Sequence, residues 1–130
     1  MAPRIQETVV RAAFIALIFG VGVAFVCIRL LMVIWDSCDV GVNAGANLGG
    51  ALLYAPIFTV IAGLACGLSF ALVDFVAPRV AAYVATAAAA VLSVWVIVEW
   101  QHNPYGDYGD MPEAPCVSGV PPWWPDFIPL

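Results

Sequence analysis

Long apolar stretches alternate along this chain with short polar ones. Three runs stand out: Ala12–Trp35, Ala51–Val73 and Val80–Val98. The first has 24 residues, which as a helix rising ~1.5 Å per residue extend about 36 Å. A bilayer's hydrocarbon core is ~30 Å thick, so such a run crosses it with some tilt. The pattern predicts an all-α membrane protein, a bundle of three transmembrane helices over about 12–35, 51–73 and 80–98. The first run is too long for a signal-peptide core, and no small-x-small site closes it, so it is read as a retained span.

The polar intervals differ in character. Residues 1–11 form a short lead with Arg4, Glu7 and Arg11. Residues 36–50, rich in Gly and Asn, read as a turn-forming connection. Residues 74–79, with Asp74, Pro78 and Arg79, form a tight one. Pro56 falls near the start of the second run, where a missing N–H costs little. From 101 onward the composition changes: seven of the last thirty residues are Pro and four are acidic. That excludes long helix and central strand and predicts an irregular tail. The chain therefore divides into a membrane unit, 1–100, and a Pro/Trp/acidic tail, 101–130.

Arginine placement sets the expected orientation. Arg4, Arg11 and Arg79 sit in the lead and the second connection, while the first connection and the tail hold no Arg or Lys. By the positive-inside rule the N-terminus is cytoplasmic and the C-terminal tail extracytoplasmic. Trp35, Tyr54, Trp95 and Trp100 lie at or near the outer ends of their runs, the place of an aromatic belt. The expected location is a plasma membrane, multi-pass. A chain without Lys and rich in Ala, Val and Gly also has the look of high-GC bacterial coding.

Composition agrees with the pattern. Hydrophobic residues make up 64% of the 130 and charged residues 10%. A globule of this size has too little interior to hide so much apolar side chain. The net charge of −5 and the absence of a basic patch argue against nucleic acid as a partner.

Topology sorts the four cysteines. Cys38 and Cys116 both fall outside the spans on the outer side, where a disulfide persists, and are read as a structural bridge holding the tail. Closing so long a loop is worth ~4 kcal/mol by chain-entropy estimates. Cys27 and Cys66 lie within spans, at depths differing by roughly 12 Å, and are read as small packing residues.

Small residues recur at four-residue spacing: Ala16, Gly20 and Ala24 in the first run; Ala55, Thr59, Gly63, Gly67 and Ala71 in the second; Ala81, Ala85, Ala89 and Ser93 in the third. Such rows allow close backbone approach in lipid. Gly63 and Gly67 form a GxxxG, which serves either internal packing or homodimerisation.

Arg29 is the one strong charge within a run. It shares a helix face with Asp36 and lies about 9 Å below Trp35. Three roles fit: snorkelling toward Asp36 and the headgroups, pairing with Glu99 at similar height, or serving as a functional charge.

No catalytic constellation is visible, neither a Ser/His/Asp grouping, HExxH, a phosphate loop nor CxxC. His102 with Asp107 and Asp110 does not make an ordered cation loop, so no metal or other cofactor is expected. Trp123, Trp124 and Phe127 are costly to leave in water. They are expected to pack on the bundle, to enter the headgroup zone or to dock a partner. The sequence thus points to a non-enzymatic accessory or interaction subunit with a disulfide-tethered outer cap. Its partners would be the lipid bilayer and a membrane protein or a second copy. The alternative is a component of a transporter or channel formed by oligomerisation.

Overall fold

The structure is a computed structural model in which residues 3–39, 44–102, 116 and 120–130 are described. Three helices follow one another: α1 (Pro3–Ser37), α2 (Ala44–Val76) and α3 (Arg79–Gln101). Each contains a segment long and apolar enough to cross a membrane: Ile5–Ser37, Gly45–Val76 and Arg79–Gln101. By helix length and hydropathy this is a multi-pass, three-span membrane protein.

The helices outrun the apolar runs that predict them. Residues 3–11 are the first turns of α1, so the polar lead is helical from Pro3 onward. Residues 44–50, expected to be connection, are the first turns of α2. The reason is physical. An apolar run marks the portion matched to hydrocarbon, whereas a helix continues while its backbone stays bonded and no breaker intervenes. Glu7 and Arg11, one turn apart, pair at 2.5 Å on the surface of α1 and favour its continuation. The longer α2 also moves Pro56 away from the helix start. Its ring interrupts the bonding ladder opposite the Leu52 carbonyl, yet the helix runs on to Val76.

α1 ends by local chemistry. The Cys38 N–H donates to the Ile34 carbonyl at 3.0 Å. Asp39 then takes φ 52°, the left-handed conformation that stops a helix and that Asp tolerates better than most side chains. The α2–α3 turn is shorter. The Ala77 N–H closes on the Val73 carbonyl at 2.8 Å, and Pro78, extended at φ −63° and ψ 148°, precedes α3.

The bundle is held most closely between α1 and α2 and least between α1 and α3. Backbones meet at the small-residue rows. A Cβ placed on Gly20 would lie 2.5 Å from the Thr59 carbonyl oxygen, and one on Gly63 would lie 2.8 Å from that of Ala16. One on Gly67 would lie 2.9 Å from the Ala16 Cβ. The Gly63–Gly67 row therefore faces α1 within the same chain. Above this contact the core fills with larger groups, among them Cys27, Leu31, Ile34, Phe58, Ile97 and Val98. Cys66 is also buried, its thiol 3.9 Å from the Thr86 carbonyl, and both Cys27 and Cys66 are free thiols. The outward faces of all three helices carry Leu, Ile, Val and Phe, the composition of a lipid-facing surface.

Candidate interaction site: a disulfide-fastened cap

At one end of the bundle, Cys116 and residues 120–130 lie against the helices. Cys116 is bridged to Cys38, just past the end of α1, with Cα atoms 5.1 Å apart. The Cys116 sulfur also rests 3.7 Å from the Ser37 carbonyl. This is a packing contact, since a bridged sulfur carries no proton. Both cysteines are buried.

From Val120 the chain makes two consecutive turns. The Trp124 N–H donates to the Pro121 carbonyl at 2.9 Å, and the Ile128 N–H to the Pro125 carbonyl at 3.0 Å. Proline suits this path, because its fixed φ presets turns and its missing N–H is not needed. Pro121 is fully buried, and Trp124 and Leu130 pack against the hydrophobic core.

Indole N–H groups then fasten the tail to two helices. Trp123 donates to the Ser37 hydroxyl of α1 at 3.0 Å, and that hydroxyl donates onward to the Val33 carbonyl at 2.7 Å. Trp95 of α3 donates to the Pro129 carbonyl at 2.9 Å. Trp124 donates to the Ile128 carbonyl at 2.8 Å, closing the second turn on itself. The tail thereby links α1 to α3, the pair with the least direct contact. Trp35 strengthens that link from inside by donating to the Gln101 and His102 carbonyls, each at 3.2 Å. Trp35 is 5% exposed, so it is a core residue and not a member of an outward belt. Tyr54, Trp95 and Trp100 do face outward, Tyr54 and Trp100 in edge contact at 6.4 Å.

Two large groups of the cap remain available. Trp123 is 47% exposed and Phe127 85%. Trp123 is braced by Trp124, ring centroids 5.8 Å apart.

Arg29, Asp36 and Glu99 are not brought together. All three are exposed, and among the described residues the ion pairs lie elsewhere. Of the three roles open to Arg29, the pair with Glu99 is not among the ion pairs of the described residues, Arg29 lying on an exposed face of α1. His102 uses its Nδ1 to donate to the Glu99 carbonyl at 2.6 Å, while Asp107 and Asp110 lie outside the described residues. No group of three His, Cys, Asp or Glu suited to a metal ion occurs among the described residues.

The opposite end holds a polar cluster that hydropathy alone does not reveal. Thr8 is 2% exposed and donates to Asp74, 5% exposed, at 2.8 Å. Arg79 lies 3.8 Å from Asp74 and 3.3 Å from Glu7, which also holds Arg11. The cluster joins the start of α1 to the α2–α3 turn. The only sequence signal for it is an acid and a hydroxyl at the ends of neighbouring apolar runs.

Comparison with protein-family models, with curated proteins and with solved structures gives no match for this chain.

Proposed function

We propose that this chain is a non-enzymatic accessory or interaction subunit of a plasma membrane, and that the cap is the part a partner recognises. The observation that supports this is the exposure of Trp123 and Phe127 on a segment hydrogen-bonded to α1 and α3. A disulfide and the indole hydrogen bonds at Ser37 and Pro129 order a Pro-rich segment in advance, while leaving two large aromatic groups exposed. Aromatic side chains held rigid before binding lose little entropy on contact and are favoured as interface anchors. The partner class is an integral membrane protein or a second copy of this chain, met at the level of the headgroups.

The cap is proposed to face outward and the N-terminus the cytoplasm. The Cys38–Cys116 bridge favours an oxidising compartment, and the arginines at the other end favour the cytoplasm. A C-terminal alkaline phosphatase fusion should be active and a fluorescent-protein fusion dark; the reverse pattern refutes this orientation.

The partner is tested by placing a photo-crosslinking residue at Phe127 and irradiating native membranes. One or two discrete adducts, weakened by Trp123→Ala, are expected. A chain that stays monomeric and adduct-free at native expression overturns the subunit reading.

A further inference from the structure

Arg29 and Asp36 stand seven residues apart on α1, both exposed, and neither makes an ion pair or side-chain hydrogen bond among the described residues. Seven residues bring a helix almost back to the same face, about 20° short of two full turns. The separation along the axis is roughly 10 Å. Phe25, Val26 and Val33, exposed around Arg29, give that face a lipid-contacting character.

Depth gives the two charges an order. Trp35 reaches the carbonyls at the end of α3, so the ends of α1 and α3 are level. The exposed Trp100 and Tyr54 lie near that level, where the hydrocarbon gives way to headgroups. Asp36 is one residue beyond Trp35, in the headgroup layer. Arg29 is six residues below, about 9 Å deeper, and its long side chain climbs toward the same layer. Going outward, the protein thus presents a cation and then an anion. A phosphoethanolamine headgroup presents, in the same direction, phosphate and then ammonium.

We infer that Arg29 and Asp36 form a binding site for a phosphoethanolamine lipid, with the phosphodiester on the Arg29 guanidinium and the ammonium on the Asp36 carboxylate. The guanidinium fork suits two phosphate oxygens, and the ammonium has three N–H donors for the carboxylate. Phosphatidylglycerol places no cation opposite Asp36, and the quaternary ammonium of phosphatidylcholine has no N–H to donate. The site is the same whichever side of the membrane the cap occupies.

The test uses the full chain with its disulfide intact, titrated with phosphatidylethanolamine, phosphatidylglycerol and phosphatidylcholine of identical acyl chains. Bound lipid is counted by native mass spectrometry. Phosphatidylethanolamine should be retained over each of the others by on the order of fivefold, the size of one partly solvated charge contact. Asp36→Asn should bring the ethanolamine-to-glycerol ratio to about one. Arg29→Leu should weaken all three lipids and Arg29→Lys should restore most of the binding. Helix content by circular dichroism checks each variant, and Asp36→Asn, at the exposed end of α1, keeps the test decisive if Arg29→Leu does not fold. Equal binding of the three lipids by the native chain, or an unchanged preference in Asp36→Asn, overturns the site.

Discussion

Trp95 in α3 donates its indole N–H to the carbonyl of Pro129, 34 residues further along the chain, at 2.9 Å. With Trp123 on Ser37 at the other side of the cap, this bond makes the tail a strap across α1 and α3. Trp95→Phe keeps the ring and removes the donor, at a cost of roughly 1 kcal/mol. With the disulfide intact, limited proteolysis after 120 should rise only slightly. With the disulfide reduced, the same substitution should release the tail, seen as a severalfold faster cleavage than in the reduced native chain.

The bridge itself carries more. Cys38→Ala with Cys116→Ala should lower stability by about 2–5 kcal/mol, the usual range for a long native loop. Thermal unfolding in a mild detergent measures this. Alkylation of the native chain should label Cys38 and Cys116 only after reduction.

The α1–α2 contact makes a paired prediction. Gly63→Leu must push against the Ala16 carbonyl, where even a Cβ would be 2.8 Å away, and should cost about 1–3 kcal/mol. Gly22→Ala is the control. Nothing lies within 4 Å of a Cβ there, so stability should be unchanged or slightly raised. Equal melting temperatures for the two variants would falsify the assignment of Gly63 to this interface.

At the far end, Thr8→Val should destabilise by about 1–3 kcal/mol, since it takes a hydrogen bond from a buried carboxylate. Arg11→Ala, breaking a surface pair with Glu7, should cost under about 0.5 kcal/mol. Denaturation in graded sodium dodecyl sulfate separates the two.

Much of the architecture is legible in the amino-acid sequence alone. Partition into lipid sums over side chains and needs no knowledge of neighbours, so the three apolar runs announce three spans. The sorting of Cys38 and Cys116 away from Cys27 and Cys66 follows from those spans. Helix ends are less legible, because Glu7, Arg11 and residues 44–50 are polar or glycine-rich yet stay helical. The positions of the tail's hydrogen bonds are not legible at all.

Which faces meet is settled only by packing in three dimensions. Gly63 and Gly67 are equally suited to a second copy or to α1. The crossing that sets Gly63 on Ala16 and Gly20 on Thr59 is a property of two helices far apart in sequence. The same holds for Thr8 and Asp74 and for Trp35 and Gln101. Arg29 has its depth fixed by its place in the run, but its separation from Glu99 depends on the direction its face takes in the bundle. Burial in lipid is a one-body quantity written along the chain. Contact and pairing are two-body quantities, and they exist only once the helices are packed.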